Sequence, residues 1–197
     1  MIVANPDALA FLAQRRSRPA KLFTGPVPGW DALREILTMA LRVPDHGKLE
    51  PWRLVVVERA AMARLAGLAE ARAVELGGDA ELTLEQRIDK GRGQFDRGLL
   101  AVVVISAPKL SDKVPIVEQR ASAHALCMNL LTAAEAAGWG ANWLTGWAAH
   151  DPVFAARAFG CIGKETVAGI VHIATPPEDA PDRPRPDVDR LTSWAAP

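Results

Sequence analysis

Cysteine is scarce: Cys127 and Cys161 are the only two among 197 residues, too few and too far apart for a disulfide framework or a paired metal or redox motif. In a reducing compartment they are most simply buried thiols. The four histidines, at 46, 124, 150 and 172, show no HxxxH or HExxH spacing, so no metal site is expected. A G-x-S-x-G elbow is missing, and Cys127 falls inside an apolar helical stretch, which leaves a hydrolytic nucleophile unsupported. The dinucleotide fingerprint G-x-G-x-x-G and the P-loop are missing too. No sign of charge dominates. Lys+Arg and Asp+Glu both number 23, and a formal net charge of zero gives no electrostatic footprint for nucleic acid or an anionic membrane. Hydrophobic residues make up 49 % of the chain, yet no apolar run reaches the ~18 residues of a membrane span, and Met1 to Asn5 lacks the marks of a signal segment. These absences predict a cytoplasmic protein with no nucleic-acid and no membrane partner.

What is present is a chain long enough for one domain with its own core, burying roughly 70 % of its unfolded surface. Composition shifts once. From Thr175 onward, six of the fifteen prolines fall in the last 23 residues among alternating acids and arginines. The division expected is a domain over 1–175 and an extended arm of that same domain over 176–197, with no helix or central strand in the arm. Leu191 and Trp194 suit an arm lying across another surface.

Before the arm, helices alternate with short strands. Asn5 caps a first helix with Pro6 at its start and Leu9, Leu12 and Ala13 on one face, ending near Arg15-Arg16. The spacing of Leu33, Ile36, Leu37, Ala40 and Leu41 predicts a second helix from about Pro28 to Arg42. A strand is expected at Arg53–Glu58, a helix at Ala60–Leu76 ended by Gly77-Gly78, and a charged, exposed helix at Leu82–Phe95. Leu99–Ser106 reads as a strand covered on both faces. The stretch Pro115–Ala137 is apolar nearly all round, as suits a helix in a core or a dimer seam. Strands follow at Gly140–Leu144 and Val167–Ala174, with a helix from Asp151 to Phe159 between them. The pattern is α+β, one sheet between helical layers.

Three turns carry the donors. Arg15-Arg16-Ser17 sits at the end of the first helix, where cations answer the helix dipole or, with a serine hydroxyl, clamp a phosphate dianion. Arg42-Val43-Pro44-Asp45-His46-Gly47-Lys48-Leu49-Glu50-Pro51-Trp52 is a loop whose prolines fix both ends, so the side chains between lose little entropy on binding. In Gly138-Trp139-Gly140-Ala141-Asn142-Trp143-Leu144-Thr145-Gly146-Trp147 the tryptophans recur every four residues, as core packing allows. The glycines there permit close backbone approach to a flat ligand.

In this order the turns resemble the FMN-dependent nitroreductase family, particularly its short YdjA-like subgroup. The family pieces stand here as Arg15-Arg16-Ser17, Val43 to Trp52, Ala134 to Gly140, Trp143 to Gly146 and Ala174-Thr175-Pro176, spanning nearly the whole chain. Glu50 replaces a glutamine, Ala174 a glycine, Val43 an alanine, and Leu144 a basic residue. The resemblance implies a three-layer α-β-α sandwich with a mostly antiparallel central sheet and a C-terminal arm exchanged across a homodimer. It implies FMN as bound cofactor, NAD(P)H as co-substrate, and a nitroaromatic or quinone-like small-molecule electron acceptor served by a ping-pong cycle. Arg15 and Ser17 would hold the FMN phosphate, with Arg16 and Arg185 beside it. Arg42 and His46 would reach the flavin from the partner subunit, and the backbone of Trp143, Leu144 and Thr145 would line its other side. No catalytic side chain is implied, because the chemistry sits at flavin N5. Ala133–Gly138 would border the nicotinamide, and the stretch from Arg72 to Arg97 would wall the acceptor pocket. A flavin-binding or flavin-handling protein without NAD(P)H turnover is the alternative on the same fold.

Overall fold

The computed structural model describes residues 3–177 and 182–195; the parts of the arm at 178–181 and 196–197, and Met1 and Ile2, lie outside the described residues. The helices are α1 (Pro6–Gln14), α2 (Trp30–Ala40), α3 (Arg59–Leu76), α4 (Leu84–Arg92), α5 (Ile116–Ala136), α6 (Trp147–His150), α7 (Pro152–Phe159) and α8 (Val188–Leu191). The strands are β1 (Trp52–Glu58), β2 (Leu100–Ser106), β3 (Gly140–Leu144) and β4 (Thr166–Ala174). They form one sheet in the order β1-β2-β4-β3, antiparallel at every pairing.

β2 is buried along its whole length because helices cover both sheet faces. On one face Leu33, Ile36 and Leu37 of α2 and Leu126 and Leu130 of α5 pack against Val102, Val104 and Val171. On the other, Met62 and Leu65 of α3, Ala148 of α6 and Phe154 of α7 pack against Val103, Ile105 and Ile170. This is the α+β sandwich expected, with its layers set by the period-two alternation of the strands. α5 is buried along one side only and leaves Val117 and Met128 exposed. α1 is capped as foreseen, Asn5 Oδ1 accepting from the Ala8 amide at 3.1 Å, yet Leu9 and Leu12 are more than half exposed.

Three local expectations are corrected. The charged helix is shorter than Leu82–Phe95 and is not simply exposed. Arg87 is buried with its guanidinium 6.0 Å from the Trp147 ring, and the Trp147 indole donates to the Arg87 carbonyl at 2.8 Å. Gly146–His150, unassigned from sequence, contains the short α6. The arm does hold a helical turn, since Asp187 to Leu191 is free of proline and Asp187 Oδ1 caps it by accepting from the Arg190 amide at 3.1 Å.

Candidate functional site

Arg15 is the residue at which α1 stops, and its backbone turns extended there. The chain then runs along the free edge of β3, where the Arg18 amide donates to the Ala141 carbonyl at 3.4 Å. This crossing turns Arg15, Arg16 and Ser17 toward one cavity of about 390 Å³, closed by Asn142 of β3 and by Arg183 and Arg185 of the arm. Three of the four arginines are positioned by different parts of the fold. Arg15 Nε donates to Glu135 Oε2 at 2.8 Å, from the last turn of α5. Arg16 Nη1 donates to Asp182 Oδ1 at 2.9 Å, and Arg185 donates to the Ala13 carbonyl near the C-terminal end of α1. The Asp182 side chain is 88 % exposed, so that pair is a surface latch, whereas the Glu135 side chain is only 5 % exposed. Burial pushes the Glu135 carboxyl above the ordinary carboxylate range, against the pull of Arg15 and Arg18.

Four guanidinium groups and a hydroxyl around a cavity of this size form a donor set for a phosphate dianion. Of the lining residues, Asn142 has its Oδ1 buried without a hydrogen-bond partner among the described residues; an acceptor, it calls for a donor and not for the phosphate. The donor set itself, four guanidinium groups and a hydroxyl, fits a flavin phosphate. Alternation along β3 then continues the site. Asn142 and Leu144 point to one sheet face and Trp143 to the other, and Leu144 and Thr145 line a second cavity of about 740 Å³ with Gln94, Lys90, Trp147 and His150. β3 thus joins the two cavities along its edge.

Trp143 faces the core: a Cβ built on Gly169 would lie 2.0 Å from its Nε1, so the glycine makes room for the indole. Arg42 and His46 line neither cavity in one chain. Arg42 follows α2 on the surface, and His46 Nδ1 is 2.8 Å from Glu118 Oε2, both side chains at least half exposed. Their loop is held from behind, with Ser122 Oγ donating to the Pro44 carbonyl and the Glu50 amide to Asp45 Oδ2, both at 2.7 Å.

Sequence reasoning gave no role to Asn142, Arg183 and Glu135. The available signals were a polar residue between strand tryptophans, a second arginine in Arg-Pro-Arg-Pro, and a single acid in the apolar run Leu130–Gly138.

Comparisons with known proteins bear on the fold and the family. Over 170 residues the chain is 34 % identical to the Escherichia coli (strain K12) protein named "Putative NAD(P)H nitroreductase YdjA", covering 86 % of this chain and 88 % of that one. The crystal structure of a nitroreductase-like family protein from Bacillus cereus superposes with a TM-score of 0.76 at 21 % identity, covering 99 % of both chains. A variant of the FMN and NADPH-dependent nitroreductase NfnB from Sphigopyxis sp. strain HMH gives a TM-score of 0.72 at 17 % identity, over 95 % of this chain and 98 % of that one. The model of the nitroreductase family matches residues 12–174, and with the relative above it places the chain in that family.

Proposed function

We propose that the chain is an FMN-dependent NAD(P)H oxidoreductase of the cytoplasm that reduces nitroaromatic or quinone-like acceptors as a homodimer. The observation that carries this is the cavity in which Arg15, Arg16, Ser17, Arg183 and Arg185 converge at the β3 edge. Bound FMN, held by Arg15 and Ser17, would supply hydride transfer between NAD(P)H and the acceptor, the two substrates using one site in turn in a ping-pong cycle.

The chain's own part is binding and electrostatics. Arg15 and Ser17 hold the phosphate, Arg16 and Arg185 flank it, and each charge-assisted bond contributes roughly 1.5–3 kcal/mol. The backbone at Trp143-Leu144-Thr145 lines the ring, and the second cavity beside Leu144 and Thr145 has room for nicotinamide and acceptor in turn. Arg42 and His46, which line neither cavity in their own chain, act across the dimer seam on the flavin held by the other subunit. There they would place hydrogen-bond donors beside the flavin ring, with the Arg42 guanidinium supplying positive charge. Exposed Leu9, Leu12, Val117 and Met128, with Leu191 and Trp194 of the arm, supply apolar surface for such a seam.

Stopped-flow mixing of the purified protein with NADPH and with NADH tests the proposal. The bound flavin should bleach with at least one nucleotide and recolour on adding a nitroaromatic or a quinone. A yellow protein that bleaches with neither is a flavin-binding protein, and the oxidoreductase reading fails.

A further inference from the structure

We infer that Glu135 is a positioning residue of the phosphate clamp, fixing Arg15 through Nε so that the two terminal nitrogens of the guanidinium are left to meet a phosphate. The inference rests on the reading of the Arg15–Ser17 cavity as the flavin-phosphate site. On charge alone Glu135 stands in the wrong place. It lies in the last turn of α5, at the negative end of the helix dipole. Its side chain is 5 % exposed, and its Oε1 has no partner among the described residues. It also adds a negative charge beside a cavity built for a dianion. Burial disfavours the carboxylate further, and the neighbouring Arg15 and Arg18 only partly offset this.

Geometry supplies what charge does not. An arginine carries five N–H donors in one rigid plane, and a carboxylate on Nε holds that plane while leaving the bidentate Nη edge unused. Among the described residues Arg15 makes this one side-chain bond, from Nε to Glu135 Oε2 at 2.8 Å, and its side chain, 19 % exposed, lines the cavity. Arg15 has four side-chain torsions, so without the carboxylate its fork would lose a fixed direction.

The two roles predict opposite signs. If Glu135 acts only by its charge, removing it strengthens the binding of a dianion. If it positions Arg15, removing it weakens that binding, and a neutral acceptor of the same shape restores it. FMN and riboflavin are titrated into the flavin-stripped full-length chain by fluorescence quenching, for wild type, Glu135→Gln and Glu135→Ala. The ratio of FMN to riboflavin affinity isolates the phosphate. The ratio should fall about tenfold in Glu135→Ala, with riboflavin affinity unchanged, and stay within about threefold of wild type in Glu135→Gln. Should the alanine variant not fold, Glu135→Met fills the same space without an accepting oxygen and carries the same expectation. An unchanged or higher ratio in the acceptor-less variant overturns the inference, and so does a glutamine variant as weak as the alanine one. A wild-type chain that binds FMN no better than riboflavin overturns the phosphate reading itself and this inference with it. A clear wild-type preference that survives Glu135→Ala overturns the inference alone.

Discussion

The clamp at Arg15–Arg18 and the loop at Arg42–Trp52 are both short, cationic and next to a helix, yet the fold organises them in opposite ways. In the clamp the side chains are tethered while the backbone is ordinary. The Arg15 side chain is tied to α5 and the Arg16 side chain to the arm. In the loop the backbone is tethered and the key side chains are exposed, His46 meeting the half-exposed Glu118. Pro44 and Glu50 are pinned by Ser122 and Asp45, and positive φ occurs at Gly47 (74°), Lys48 (53°) and Glu50 (47°), while Arg42 and His46 face outward. A site finished within one chain needs fixed side chains. A site finished against a second surface needs a fixed backbone that presents side chains to it.

Removing everything after Pro176 cuts deepest into this contrast, because the arm serves both halves. Leu191 and Trp194 are 62 % and 94 % exposed in one chain, so in the proposed dimer their burial contributes on the order of 2 kcal/mol each. The truncated protein should sediment as a monomer, melt earlier and bind FMN more weakly through the loss of Arg183 and Arg185. An unchanged dimer with an unchanged melting temperature shows that the arm buries nothing.

Acid should weaken the sheet behind the clamp. His172 of β4 lies opposite Asn142 of β3, both its ring nitrogens are buried without partners among the described residues, and burial pushes its pKa down to about 4. The unfolded chain takes up this proton near the ordinary pH 6.5. The neutral ring's contribution is therefore complete above that pH and lost as pH falls toward 4, up to about 3 kcal/mol. Denaturation midpoints at pH 7 and pH 4.5 should differ more in wild type than in His172→Leu. Equal differences would remove His172 from the account of acid sensitivity.

Arg15→Ala separates binding from folding. FMN affinity should fall ten- to hundredfold, the loss of roughly 1.5–3 kcal/mol of charge-assisted bonding, and Arg15→Lys should recover part of it by restoring the charge without the fork. If Arg15 only answers the helix dipole, alanine costs well under ~1 kcal/mol of stability and leaves FMN binding as it was. Flavin titrations beside denaturation curves distinguish the two.

The clamp was the more legible half because its donors are contiguous: Arg15, Arg16 and Ser17 announce themselves in three letters. The strands are legible for a similar reason, since β2 is an unbroken apolar run from Leu100 to Ile105, β4 is apolar from Val167 to Ala174 apart from Gly169 and His172, and β3 occupies the strand expected at Gly140–Leu144. Asn142, Arg183 and Glu135 come from β3, the arm and α5, and only tertiary packing brings them to Arg15. Arg87 shows the same limit. A charge run reads as a solvated face, but the guanidinium has an apolar plane that Trp147 covers. The loop's prolines marked it as rigid, while its left-handed residues, two of them not glycine, left no mark in composition.

That backbone offers the smallest and cleanest test of the contrast. At Gly47, with φ 74°, alanine meets only ordinary contacts, Val114 at 3.6 Å and Leu49 at 3.8 Å, so the cost of Gly47→Ala is conformational rather than steric. It should be about 1 kcal/mol. Glu50→Gly works in the other direction by relieving a left-handed residue directly before Pro51, and its gain is partly offset by the freedom glycine adds to the unfolded chain. It should change stability by less than about 1 kcal/mol. Both variants leave every clamp residue in place, so riboflavin and FMN should keep their wild-type affinity ratio in each. Urea denaturation with flavin titration of the same samples reads both quantities. A ratio that shifts with Gly47→Ala would show that the loop's backbone helps to bind the phosphate, and the division between a side-chain clamp and a backbone loop would fall.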